Sequence, residues 1–338
     1  MTNYTSMIKS VKDYVKLPFV YNHWYVAGTT EEFTTTPSSK ILLNRSLVFY
    51  RTPAGEVVAM QDRCLHRSFP LSEGYLEDDK LVCRYHGIRY NPDGSIARIP
   101  CQKSTSTKKL HRYPTVERGP FVFIWMGDPD QPDMEKLPDM PYLDDPAYRT
   151  VHGFMPLEGN YLLLQENLND LTHFAYLHKD TFPFDDAFFD LEEHLEITPN
   201  GAPFLNRIEK NPPPQKLALP PEVLGEIEGK LVERWDGGAA LGPGVFQGYA
   251  PVFVGAEDDP SRRVLKQYVC HYMTPETEKT SHYFWSMSND YAIENDMFYS
   301  MLTQHLGAGF DEDKWAVQLM QDRLDNDHIE FDEMIIAG

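Results

Sequence analysis

The stretch CLHRSFPLSEGYLEDDKLVCRYHG, Cys64 to Gly87, sets two cysteines and two histidines in the pattern Cys-x-His, sixteen residues, Cys-x-x-His. Thiolates and imidazoles at such short spacing are metal ligands, and they suit either a tetrahedral zinc ion or an iron–sulfur cluster. Zinc knuckles of this kind pair Cys-x-x-Cys with His-x-x-x-His. Here each loop supplies one cysteine and one histidine. That division suits a two-iron cluster in which two thiolates hold one iron and two imidazoles the other.

A cluster passes single electrons and makes no bonds by itself, so a second centre must receive them. In ENLNDLTHFAYLH, Asn167, Asp170 and His173 follow at intervals of three and share one helical face. His178 lies five residues past His173, about 140° further round an ideal helix. Both imidazoles meet one metal only if the helix ends or distorts between them. Two neutral imidazoles and one carboxylate form the facial triad that holds non-haem Fe(II) and leaves positions open for dioxygen. The carboxylate is sought in FDEDKW, where Asp313 stands near the start of an apparent C-terminal helix and Asp311 and Glu312 are alternatives. The blander reading is a pair of satisfied polar histidines and an acidic helix start favoured by the helix dipole.

The elements that must position these groups are legible in outline. Residues 22–126 alternate apolar and polar positions in short runs (WYVAG, ILLNRSLVFYR, FVFIWMG) separated by turn signals such as NPDG. This predicts an all-β unit over 21–128. The Pro- and Asp-rich stretch 129–150 reads as a linker over the surface, and 151–338 as an α+β domain. In that domain, helical periodicity over 160–178 and 311–327 flanks strand-like sequence, and NPPPQKLALPPE is a surface loop or pocket lid. A helix is expected over residues 1–20, where Tyr4, Met7, Ile8, Val11 and Val15 recur at helical spacing.

CLHRSFPLSEG and CRYHG resemble the two cluster loops of Rieske iron–sulfur domains, matching also at Arg67, Pro70, Leu71, Gly74, Tyr85 and Gly87. Leu65 and Arg84 replace prolines frequent in that family, and neither is a ligand. Asn-x-x-Asp-x-x-His-x-x-x-x-His, followed much later by Glu-Asp-Lys, resembles the mononuclear iron site of Rieske oxygenases. The order of segments and the stretches NHWYVAG and HYMTPETEKTSHYFW resemble the monooxygenase branch typified by vanillate O-demethylase, toluenesulfonate methyl-monooxygenase and dicamba monooxygenase. The resemblance implies a Rieske domain followed by a helix-grip catalytic domain with an antiparallel sheet. It implies a [2Fe–2S] cluster with Cys64 and Cys83 on one iron and His66 and His86 on the other, a mononuclear Fe(II) held by His173, His178 and Asp313, and O₂-dependent demethylation or methyl hydroxylation of a small aromatic. Ring dihydroxylation is the alternative. It also implies a ring-shaped homotrimer, with Asp170 bridging the two centres by contacting the partner subunit's His86. Asp170 is further expected to accept the outer ring N–H of His173 through its carboxylate.

Composition narrows the partners. With 31 basic against 51 acidic residues, the net charge of −20 argues against nucleic acid and anionic membranes. No apolar run approaches the length of a membrane span, and the absence of a signal-peptide pattern leads to the expectation of a cytoplasmic protein. Residues 61–112 carry ten Lys or Arg against six acids, a basic island on which an acidic ferredoxin-like face is expected to dock. With no G-x-G-x-x-G after a strand and no flavin motif, NAD(P)H is expected to act only through a separate flavin or iron–sulfur reductase or ferredoxin. The pocket walls are expected from WDGGAALGPGVFQGYAPVFVG, and Arg207, Arg234, Arg262 and Arg263 all remain candidates for a substrate carboxylate. Cys101 and Cys270 read as plain buried thiols.

Overall fold

The computed structural model describes residues 19–100, 102–103, 106–182, 184–197 and 203–327. Almost all of the helix expected over 1–20 lies outside them, as does Cys101. Two compact units emerge among the described residues, one comprising Phe19–Asp139 with Thr274–Thr277 and the other Met140–Met273 with the residues from Glu278 to Asp327.

The first unit is built from short antiparallel strands. Trp24–Thr29, Phe121–Trp125 and Thr115–Arg118 form one sheet, while Ser38–Leu42, Arg45–Arg51, Val57–Gln61 and Arg112–Tyr113 form a second. A third sheet, Tyr75–Glu77, Lys80–Val82, Arg89–Tyr90 and Ile96–Arg98, lies in the region of the Cys/His loops. Two buried clusters form the cores, and Cys64 and Cys83 belong to the one containing Val48, Tyr50, Met60, Leu81 and Tyr90.

The second unit contains a twisted antiparallel sheet. Its main order runs Arg149–Leu157, Ser281–Asn289, Gln267–Pro275, Val245–Tyr249, Val232–Gly242, Pro203–Lys210, Glu192–Ile197. Among the described residues four α-helices accompany it: α1 (Tyr161–Asn169), α2 (Phe174–Leu177), α3 (Pro221–Ile227) and the 31-residue α4 (Asp296–Asn326). The long α4 grips the sheet through a stripe at three- and four-residue spacing, Tyr299, Leu302, Leu306, Phe310, Asp313, Val317 and Gln321.

Three expectations change. The C-terminal helix begins at Asp296 instead of 311, so Asp313 sits deep within it and not near its start. Gly307 and Gly309 each disfavour helix by about 1 kcal/mol relative to alanine. Packing overrides this, since a Cβ at Gly309 would meet the Phe182 ring at 2.3 Å. The single helix expected over 160–178 is interrupted: α1 ends at Asn169, a 3₁₀ turn spans Leu171–His173, and α2 ends before His178. Finally, the stretch 129–150 does more than lie over the surface, because Met140, Tyr142 and Leu143 are buried.

Candidate metal centres

The two Cys/His loops are the same turn used twice. The Cys64 carbonyl accepts from Ser68 N–H (3.0 Å) and its N–H donates to the Phe69 carbonyl (2.9 Å). The Cys83 carbonyl accepts from Gly87 N–H (2.8 Å) and its N–H donates to Ile88 (2.9 Å). Ser68 and Gly87 occupy equivalent places with φ of 58° and 70°, the left-handed region that Gly87 enters freely. The Asp62 carboxylate anchors the chain beyond the first loop, accepting from Ser72 N–H (2.8 Å) and Oγ (2.6 Å). Both cysteines are buried while His66 and His86 are exposed with ring centroids 4.7 Å apart. Burial pushes the Cys83 thiol up, so ionising it beside Cys64 calls for a cation. Tyr90 Oη is 3.2 Å from Cys64 Sγ and accepts the Leu65 N–H at 3.1 Å, leaving its O–H free to donate to the sulfur.

In the second unit the structure brings His173, His178 and Asp313 together, with one ligand atom from each lying within 4.8 Å of the others. Asp313 Oδ1 is 3.1 Å from His178 Nε2 and 3.4 Å from His173 Nε2. Ligands about 2.1 Å from one ion at right angles stand about 3 Å apart, so this spacing fits a shared metal. Both rings are held by their other nitrogen. His178 Nδ1–H donates to Glu312 Oε2 (2.7 Å), and His173 Nδ1–H donates to the backbone carbonyl of Asp170. That leaves the Nε2 lone pairs for a metal, and His173 Nε2 is buried without a hydrogen-bond partner. Burial works to lower the pKa of His178, but the Asp313 and Glu312 carboxylates outweigh it and hold it above the ordinary imidazole value. Burial likewise works to raise Asp313, and the two imidazoles hold it low. The pocket wants positive charge, which a divalent iron supplies.

Of the alternative carboxylates, Asp311 faces Lys314 at 3.8 Å and Glu312 takes the outer nitrogen of His178, steadied by Thr181 Oγ1 at 2.5 Å. Sequence reasoning missed the Glu312 contact, although its place beside Asp313 was visible. The expected contact from the Asp170 carboxylate to His173 is corrected. That carboxylate accepts from Thr172 N–H (2.9 Å) and Oγ1 (2.6 Å), and the backbone carbonyl serves the histidine instead. The reason is the break after Asn169, which turns Asp170 into the N-cap of the 3₁₀ turn. Asn167 Oδ1 is buried and has no hydrogen-bond partner.

Two family models cover this architecture. The Rieske [2Fe-2S] domain matches residues 23–114, and the vanillate O-demethylase oxygenase C-terminal domain matches residues 157–338. The chain belongs to the Rieske non-haem iron oxygenases. This oxygenase is 33% identical over 310 residues to the toluene-4-sulfonate monooxygenase system iron-sulfur subunit of Comamonas testosteroni, covering 89% of this chain and 87% of the relative. It is 32% identical over 317 residues to the oxygenase component of dicamba O-demethylase from Stenotrophomonas maltophilia, covering 91% and 89%. A crystal structure of dicamba monooxygenase bound to dicamba aligns with a TM-score of 0.79 at 30% identity, over 91% of this chain and 89% of that one. The oxygenase therefore uses a Rieske [2Fe–2S] cluster and a mononuclear non-haem iron. Among the described residues no helix is long and apolar enough to cross a membrane.

A cavity of about 150 Å³ opens beside the triad of the oxygenase, lined by His178 and Asp313 and walled by Phe174, Phe182, Phe184, Phe246 and Phe310. The 235–255 segment contributes Asp236, Gly237, Phe246, Gly248, Tyr249 and Ala250, and Ala218 of the Pro-rich loop joins them. His271 also faces this space. It is fully buried, meets Tyr283 Oη at 2.7 Å, and burial brings its pKa down to about 4, so it is neutral at pH 7.

Proposed function

We propose that this oxygenase demethylates, or hydroxylates at a methyl group, a small aromatic substrate, with Cys64, Cys83, His66 and His86 holding the cluster and His173, His178 and Asp313 the mononuclear iron. The observation that carries the reading is the His178–Asp313 edge opening into a cavity walled by phenylalanines and sized for one ring. A cluster held by the two Cys/His loops would supply electrons one at a time, and an iron held by His173, His178 and Asp313 would supply the dioxygen chemistry for oxidising a C–H bond. The protein does the rest. Glu312 and the Asp170 carbonyl keep a proton on each Nδ1, so both Nε2 atoms present lone pairs to the iron. The apolar walls exclude water and hold the ring so that a methyl carbon faces the triad. Oxidation of a methoxy or N-methyl carbon gives a product that loses formaldehyde. Relatives described as dicamba O-demethylase and vanillate O-demethylase support that outcome. With a supplied reductase, a panel of methoxy- and N-methyl aromatics should yield one formaldehyde per O₂ consumed. Substrate-dependent O₂ uptake giving ring diols and no formaldehyde would favour the dioxygenase alternative instead.

Electrons reach the cluster from a separate reductase or ferredoxin, docking at the cluster loops. Much of the basic island is internally paired, Arg89 with Glu77, Lys109 with Asp93 and Arg112 with Glu56. Arg67 and Arg84, exposed on the two loops, have no ion-pair partner among the described residues. Charge reversal at either should slow reductase-driven turnover and weaken its dependence on salt, leaving cluster content unchanged. Turnover indifferent to both changes would place docking elsewhere. The homotrimer that the resemblance implies completes the reading.

A further inference from the structure

The cavity is apolar except for a few groups, and one is an ion pair. Arg234 Nη2 donates to Asp236 Oδ1 at 2.6 Å, with side chains only 10% and 9% exposed. The two residues alternate on strand Val232–Gly242, so they share its cavity face. Asp236 is the only hydrogen-bond partner of the Arg234 side chain among the described residues, which leaves most of a five-donor guanidinium without a hydrogen bond at a cavity wall. A second guanidinium stands on the neighbouring strand. Arg207 is the cross-strand register partner of Asp236 and is 5% exposed, and its Nε is buried with no hydrogen-bond partner. It lines an adjoining hollow of about 240 Å³ that shares Leu168, Leu171, Asp236 and Phe246 with the cavity. The acid that Arg207 does contact, Glu193 at 3.0 Å, is half out in solvent. Buried cations thus outnumber buried carboxylates at this wall. Arg262 and Arg263, by contrast, pair with Glu233 and Glu226 and do not line the cavity.

The placement relative to the triad fits a ligand. The Arg234 guanidinium lies 5.3 Å over the Phe184 ring, Phe184 is 4.9 Å from Phe174, and Phe174 is 5.6 Å from the His178 ring. Two phenyl rings therefore bridge the ion pair to the iron histidines along the cavity wall, a span suited to an aromatic substrate with its polar group at one end and its methyl at the other. We propose that Arg234, oriented by Asp236, anchors an anionic carboxylate or sulfonate on the aromatic substrate, and that Arg207 strengthens the site by its charge. This rests on the demethylase reading and adds to it a requirement for an anion distal to the oxidised methyl. A guanidinium fork matches such a group in geometry and charge.

The test uses the iron-loaded protein without oxygen or reductant, so that only binding is read. Dissociation constants are measured by calorimetry for 4-methoxybenzoate and the uncharged 4-methoxybenzamide. The double variant Arg234→Gln/Asp236→Asn replaces the ion pair by two amides that can still bond each other, leaving no orphaned charge. The wild type should prefer the benzoate, and the double variant should bind it about 10- to 100-fold more weakly while holding the benzamide within about threefold. Arg234→Lys, which keeps the charge and loses the fork, should fall between. Equal losses for both ligands, or benzoate binding untouched in the double variant, would overturn the anchor. In a separate run with oxygen and a supplied reductase, formaldehyde released from the benzamide by the double variant would show that the demethylase reading stands whatever the anchor's fate. A wild type that binds neither compound would overturn both.

Discussion

Asp313→Ala will give a protein with its cluster intact, its mononuclear iron missing and no measurable oxygenation. The cluster loops belong to the Phe19–Asp139 unit, so their colour and two irons should survive. Asp313 belongs to the other unit, and its Oδ1 lies 3.4 Å from His173 Nε2 and 3.1 Å from His178 Nε2. Without it, two neutral imidazoles must hold a dication in a buried pocket with only the partly exposed Glu312 carboxylate, on the far side of the His178 ring, to balance its charge. Iron analysis should fall from three per chain to two, with turnover down by more than the 10–100-fold that loss of a ligand's supporting partner costs. Glu312→Gln provides that milder comparison. It keeps an oxygen for His178 Nδ1–H but removes the charge, so it should retain more iron than Asp313→Ala. Three irons and ordinary turnover in Asp313→Ala would remove Asp313 from the ligand set.

The difference in how readily these residues could be read follows from distance along the chain. The cluster loops are local, with four ligand-type residues inside 24 positions and their turns closed by neighbouring backbone, so the pattern carries the chemistry unaided. His173 and His178 are also local, and the condition that the helix end or distort between them corresponds to the 3₁₀ turn that closes at His173 and the single helical turn that ends at Leu177. Asp313 is 135 residues from His178, and only folding brings it near. Its signal was a carboxylate on the apolar stripe of α4, hidden because the glycines at 307 and 309 masked the helix's first half. The pocket wall was legible as a segment but not as a choice among arginines. Cross-strand register, which puts Arg207 opposite Asp236, appears in no local pattern. Asp-Leu-Thr at 170–172 did carry a capping signal that competes with a continuous helix.

That capping signal sharpens the last expected result, Asp170→Asn. In this chain the Asp170 carboxylate caps the 3₁₀ turn through Thr172, and its backbone carbonyl orients His173. Asparagine caps about as well as aspartate and has the same backbone carbonyl, so turn, histidine and mononuclear iron should all be kept. What the substitution removes is a negative charge on an exposed residue. If Asp170 serves only its own turn, the variant will work normally. If, as the family resemblance implies, the carboxylate meets the partner subunit's His86, electrons lose their route between the centres and turnover should fall by about 100-fold at full iron content. A single-turnover experiment separates this from misfolding. The pre-reduced cluster should stay reduced in the presence of substrate and oxygen instead of being consumed. Asp170→Ala, lacking both cap and charge, should in addition lose iron, because the turn that carries His173 is no longer held. Rapid cluster oxidation coupled to product in Asp170→Asn would confine Asp170 to its structural part.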